Sequence, residues 1–151
     1  LRILTTLGAT MPDGKSSATR ALVEYASTVR GPGLAVVISD FFDDEGAFEA
    51  LRYLAHRGLM PAVIQVVAPE DLDPDIDGDV ELLDVEDPER TPVLVDRHRV
   101  AAYRTRMEGL TLALGEFCLT HGMPWTRVPS SIAFGDALKS CVDAGILAAK
   151  I

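Results

Sequence analysis

Apolar residues fall along this chain in two rhythms, stripes at helical spacing and short unbroken runs. From Ser16 to Arg30 the stretch SSATRALVEYASTVR places Ala18, Leu22, Tyr25, Ala26 and Val29 on one helical face. Ser16 or Ser17 is a natural N-cap, and Gly31 follows as a stop. GLAVVISD comes next, short and rich in β-branched residues, which predicts a fully buried strand. A second helix is predicted from about Asp44 to Arg57, with Phe48, Leu51 and Leu54 inward and Gly58 at its end. MPAVIQVVA repeats the pattern of a buried strand, and VELLDVE and TPVLV are two shorter strand candidates. A long helix runs from about Arg97 to His121, where Val100, Tyr103, Met107, Leu110, Leu114 and Phe117 step by three and four. PWTRVPS is a last short strand, and Ser131 to Ala144 forms a final helix stopped by Gly145.

Strand and helix alternate, and the clearest strands are apolar on both faces. That combination predicts an α/β, doubly wound fold with a mostly parallel sheet and helices on both faces. The 151 residues suit a single domain, 1–151. No apolar run approaches the roughly 20 residues of a membrane span, and no signal-peptide pattern follows Arg2. Cys118 and Cys141 sit in apolar helical patterns without a metal or redox spacing, as buried free thiols of a reducing compartment do. The expectation is a cytoplasmic protein with no membrane contact from this segment.

Charge changes the picture locally. The net charge is −9, yet 11 of the 23 acidic residues lie between Glu70 and Glu89, and the rest of the chain is slightly basic. Arg90, Arg97, His98, Arg99, Arg104 and Arg106 follow at once, which suggests internal pairing or a polar docking surface. Nucleic acid is excluded as a partner, because so many carboxylates repel phosphate and no aromatic platform accompanies the arginines. Within the acidic segment, DPDIDGDVELLD matches a calcium loop at Asp73, Asp75, Asp77, Gly78 and Glu81, with Asp84 standing where a longer Glu is usual. Its flanks read as strands, and Pro69 and Pro74 oppose a preceding helix, so a solvated acidic loop is the better expectation.

In an open α/β sheet, ligands collect at the carboxyl ends of the strands. That address points to Ser39 and Asp40. An aspartate there can be a metal ligand, a general base or a nucleophile, although no lysine and Ser/Thr arrangement supports phosphotransfer. Phe41 and Phe42 follow directly, either as an apolar rim or with one ring turned inward. His56, His98 and His121 match no metal spacing, and Tyr103 falls on the apolar face of its helix. No nucleophile with an adjacent base, phosphate-cradling glycine loop or HExxH occurs, so a catalytic reading would rest on Asp40 alone.

In order and spacing, AVVISDFF, FEALRYLAHRGLMPAVIQVVAPEDLDP, VELLDVEDPE and the Tyr103 helix ending in CLTHGMPW resemble the family called domain of unknown function fifty-eight. The resemblance runs from about Gly14 to Leu147. Members of that family are von Willebrand factor A-like and are often encoded beside MoxR-type AAA+ ATPases. The resemblance implies a metal-ion-dependent adhesion site that holds Mg²⁺ from three loops and leaves one position for a partner's carboxylate. Asp40 matches the aspartate of the third loop. Ser16 stands where the second loop usually has Thr, with Lys15 replacing a glycine. The DxSxS loop and the central strand before it are missing. Because the chain opens on Leu1, it is expected to be the C-terminal part of a longer domain.

Together these observations predict a non-enzymatic interaction module that docks a protein, plausibly a MoxR-type AAA+ ATPase, at the strand-carboxyl end. Asp40 and Ser16 would be its ion-contacting positions, and Phe41, Phe42 and Asp43 would shape the partner surface. A scaffold with a degenerate, metal-free site is the alternative, and a metal-dependent hydrolase a weaker one.

Overall fold

A computed structural model describes residues 2–11, 17–42, 46–76, 80–82, 93–95 and 97–148. In chain order the elements are α1 (Arg2–Ala9), α2 (Ala18–Thr28), β1 (Gly33–Ser39), α3 (Ala47–His56), β2 (Leu59–Val67) and α4 (Pro69–Leu72). Then come β3 (Val80–Leu82), β4 (Val93–Val95), α5 (Arg97–Thr120), β5 (Trp125–Pro129), α6 (Phe134–Asp143) and a 3-10 turn over Ile146–Ala148.

The sheet at the centre is all parallel, in the order β1-β2-β5. Ala35 sits beside Pro61 and Val37 beside Val63, while Val63 sits beside Trp125, so these residues share one face. That face carries the main core. Ala35, Val37, Leu59 and Val63 pack there with Ala26 of α2, with Leu51 and Leu54 of α3, and with Leu114 and Cys118 of α5. Gly115 lets α5 lie close to the sheet, since a Cβ there would meet the Trp125 ring at 3.3 Å. On the opposite face, Ala62 is buried with Cys141 of α6 and Ile146, and Leu34 and Ile64 pack beside them. This is an α/β fold with helices on both faces of a parallel sheet, as the alternation predicts. The strands β3 and β4 form a separate antiparallel pair.

The expectation of full burial holds for β2 but not for β1. Val36 and Ile38 of β1 are 45% and 64% exposed. They point to the second face, where α6 packs mainly over β5 and only Leu34, at the start of β1, joins its cluster. Among the described residues β1 also has no strand neighbour on the side away from β2.

Other boundaries shift for local reasons. Ser17, not Ser16, caps α2 by accepting from the backbone N–H of Arg20 at 3.3 Å. The last helix starts at Phe134, three residues later than the pattern predicts. The chain first turns after β5, with Ser130 N–H donating to Val67 O and Ile132 N–H to Pro129 O. Pro69 does not prevent a helix. It opens the single turn α4 at the first position, where a missing N–H costs nothing. The helix α1 has no buried residue, and Ile3, Leu4 and Leu7 stay exposed.

Both cysteines are buried, and burial pushes the Cys118 thiol up to about 11. The neutral thiol is therefore favoured by folding. Its contribution is complete below the ordinary thiol range and is lost as pH rises toward 11. Ellman's reagent at pH 8 should label neither cysteine of the native protein promptly, and both after denaturation. Prompt native labelling of Cys118 would contradict its burial.

Candidate functional site

The carboxyl end of β1 is built by short-range hydrogen bonds around Asp40. Ser39 Oγ accepts from the Phe41 N–H at 3.2 Å, and Asp40 Oδ1 accepts from the Phe42 N–H at 3.3 Å. Ser39 Oγ also lies 3.5 Å from Asp40 Oδ1. An aspartate that accepts from the residue two ahead bends the chain as a backbone turn would. The bend is completed at Phe41, which adopts a left-handed backbone with φ of 60°.

A second anchor comes from the neighbouring strand. Gln65, 1% exposed in β2, donates from Nε2 to the backbone carbonyl of Asp40 at 2.9 Å. The backbone of Asp40 is thus held from below while its side chain faces solvent. Gln65 is not among the residues the sequence pattern points to, and its one signal there is a lone amide in the apolar run VIQVV.

The residues expected to form the site separate in space. Phe41 turns into the core, 6% exposed, and so belongs to the packing beneath the loop and not to an outer surface. Phe42 is half-buried at the rim. Ser16 and Asp43 lie outside the described residues. Tyr103, expected on the buried face of α5, is 37% exposed instead. Its phenol is held protonated to higher pH, first by partial burial, then by the negative charges of Asp71 and Asp40. Tyr103 of α5, Asp71 of α4 and Asp40 therefore share one electrostatic neighbourhood above the sheet.

Mg²⁺ needs hard oxygen ligands in near-octahedral geometry. Among the described residues no group of three His, Cys, Asp or Glu could hold a metal ion. Asp40 brings one carboxylate with one oxygen already accepting from Phe42, so these residues do not by themselves make a magnesium site. The calcium-loop pattern fares no better. Residues 73–76 follow the one-turn α4 and residues 80–82 form a strand, where an EF-hand has two helices. What Asp40 does offer is an exposed acceptor on a fixed backbone, suited to a cationic or donor group of a partner.

Two opposed effects meet at Phe41. A left-handed backbone costs a non-glycine residue about 1–2 kcal/mol, whereas removing a buried aromatic costs about 3–5 kcal/mol. Packing wins, so both Phe41→Gly and Phe41→Ala should destabilise the protein. Glycine should be no worse than alanine, because only glycine is relieved of the backbone strain. Urea unfolding of the two variants checks this order. An alanine variant clearly more stable than the glycine variant would show that the left-handed bend is wrong.

Among curated proteins and among solved structures, nothing matches the chain. A comparison with protein families matches residues 1–111 to the one described as Protein of unknown function DUF58. The match ends at Thr111 in α5, so β5 and α6 lie beyond it, whereas the resemblance noted in the sequence blocks ran on to about Leu147. It includes the whole Asp40 loop and its Gln65 anchor. Since the matched region makes up most of its length, this chain belongs to the DUF58 family.

Proposed function

We propose that the protein is a non-catalytic interaction module that docks a protein partner at the carboxyl end of its sheet, with Asp40 at the centre of the contact. The observation that carries this reading is the disposition of Asp40, whose backbone is clamped by Gln65 while its carboxylate stays exposed. A preorganised charge loses little freedom on binding, which is where affinity is gained. Phe42 supplies a half-buried aromatic beside it, and the charges of Asp40 and Asp71 are both felt at the Tyr103 phenol.

The partner proposed from the family resemblance is a MoxR-type AAA+ ATPase. Asp40, together with Ser16, would then be the remnant of a von Willebrand factor A-like adhesion site. A metal-free docking surface is the second reading, favoured by the lack of a three-ligand group among the described residues.

The docking reading is tested by biolayer interferometry of the chain against the MoxR-type ATPase encoded in the same genome. Asp40→Ala should weaken binding by about tenfold or more, the loss expected of a central contact residue. Equal binding of the variant and the parent would sink it. Titration calorimetry separates the two forms of the site. Mg²⁺ should bind this chain no tighter than about 1 mM. Tighter binding that disappears with Asp40→Ala would establish a working metal site and eliminate the metal-free reading.

A further inference from the structure

The described residues contain three buried side-chain polar atoms without a hydrogen-bond partner: Gln65 Oε1, Thr111 Oγ1 and Trp125 Nε1. Such orphans are uncommon, and each calls for a physical explanation. These three are not scattered. Gln65 and Trp125 point to the same face of the sheet, Gln65 being the register neighbour of Arg127, two residues after Trp125. Thr111 is one turn before Gly115, the residue of α5 that lies against the Trp125 ring. All three therefore lie between α5 and the sheet.

A cavity of about 560 Å³ opens beside one of them, Thr111, within the usual range for small-molecule sites. Its lining includes Thr111, Arg127 of β5, and Arg104 and Glu108 of α5. The four charged groups around it are unequal. Arg104 is engaged, pairing with Asp73 at 2.5 Å and donating to Pro74 O at 3.2 Å. Arg127 and Glu108 have no ion-pair partner among the described residues, not even each other. Among the described residues, one cation and one anion thus line a single cleft without an ion-pair partner. Leu72 and Leu112 add apolar wall.

Charge decides the class of ligand. Arg104, Arg127, Asp73 and Glu108 sum to zero, so a dianion such as phosphate would gain Arg127 but meet two carboxylates. A monoanionic carboxylate that also carries an ammonium group satisfies both unpaired residues at once. We propose that the cleft between α5 and β5 binds a small zwitterion of the α-amino-acid class, its carboxylate on Arg127 and its ammonium on Glu108. The leucines take an aliphatic side chain.

Trp125, the only tryptophan, packs against α5 at Gly115, one turn from Thr111, and is a neighbour of the cleft but not part of its lining, so binding is read directly by titration calorimetry. The probes are L-leucine, 4-methylpentanoate, which lacks the amino group, and inorganic phosphate, each titrated to about 10 mM. L-leucine should give a saturable change and bind more tightly than the other two. Arg127→Met should weaken it about tenfold or more, as loss of a charge-assisted contact does. Glu108→Gln should weaken L-leucine while leaving 4-methylpentanoate unchanged. Circular dichroism verifies that both variants fold, as expected for exposed positions. Asp40→Ala should leave the titration unaltered, which separates this site from the docking surface. The proposal is overturned if calorimetry detects no saturable binding of L-leucine, if phosphate binds as well as L-leucine, or if Arg127→Met binds like the parent.

Discussion

The constraint on which the structure depends is the burial of β2, which is hydrogen-bonded on both sides and covered on both faces. Ala62 and Val63 are fully buried, and they belong to opposite faces. A strand in that position can carry a polar side chain only if its groups find partners, since an unpaired buried amide costs about 1–3 kcal/mol. Gln65 meets half of that requirement through the Asp40 carbonyl. The same bond that makes Gln65 tolerable in the core fixes the loop at the end of β1. Its other half, Oε1, is left without a partner on the side of α5. The Asp40 loop thus inherits its placement from one buried residue of the central strand.

The helices α2, α3, α5 and α6, the three parallel strands and the place of Asp40 at a strand end were legible because each rests on a local pattern: helical stripes, glycine stops and β-branched runs. What was not legible depends on neighbours the pattern does not encode. The run AVVIS is equally apolar whether one face is covered or two, and only the placement of α6 over β5 reveals that Val36 and Ile38 remain exposed. Phe41 and Phe42 are identical residues side by side. A left-handed turn sends the first inward, and no residue preference announces it. The cleft was invisible for a further reason, since Leu72, Thr111 and Arg127 come from three separate elements, α4, α5 and β5, and meet only in the fold.

Tyr103 shows how geometry overrides periodicity. Its spacing with Val100 and Met107 is that of a core residue, and both of those are buried. But α5 has 24 residues, about 36 Å at the helical rise, whereas the five residues of β5 reach only about 17 Å. The tight connection from Thr120 to Trp125 aligns the end of the helix with the start of the strand. The first half of α5 therefore overhangs the carboxyl end of the sheet. There its inward side meets α4 and the Asp40 loop in place of sheet, and a tyrosine at that spacing becomes part of a rim.

The rim and the floor differ in how they are held. Beneath the loop, Leu51, Leu54 and Val63 are wholly buried, and displacing any of them would leave a cavity costing about 2–5 kcal/mol for a leucine. Above it, α4 has no buried residue, and its neighbour Asp73 is tied to α5 by an ion pair with Arg104 whose side chains are 75% and 46% exposed. Exposed pairs of that kind contribute at most about 1 kcal/mol. Elements held so lightly are drawn from the low-stability end of a fold, which is where binding surfaces that must adjust to a partner are found. Asp40 stands at the junction. Its backbone belongs to the floor through Gln65 and its carboxylate to the rim, so a partner's charge would meet a group whose position is set by the core and whose surroundings can still move.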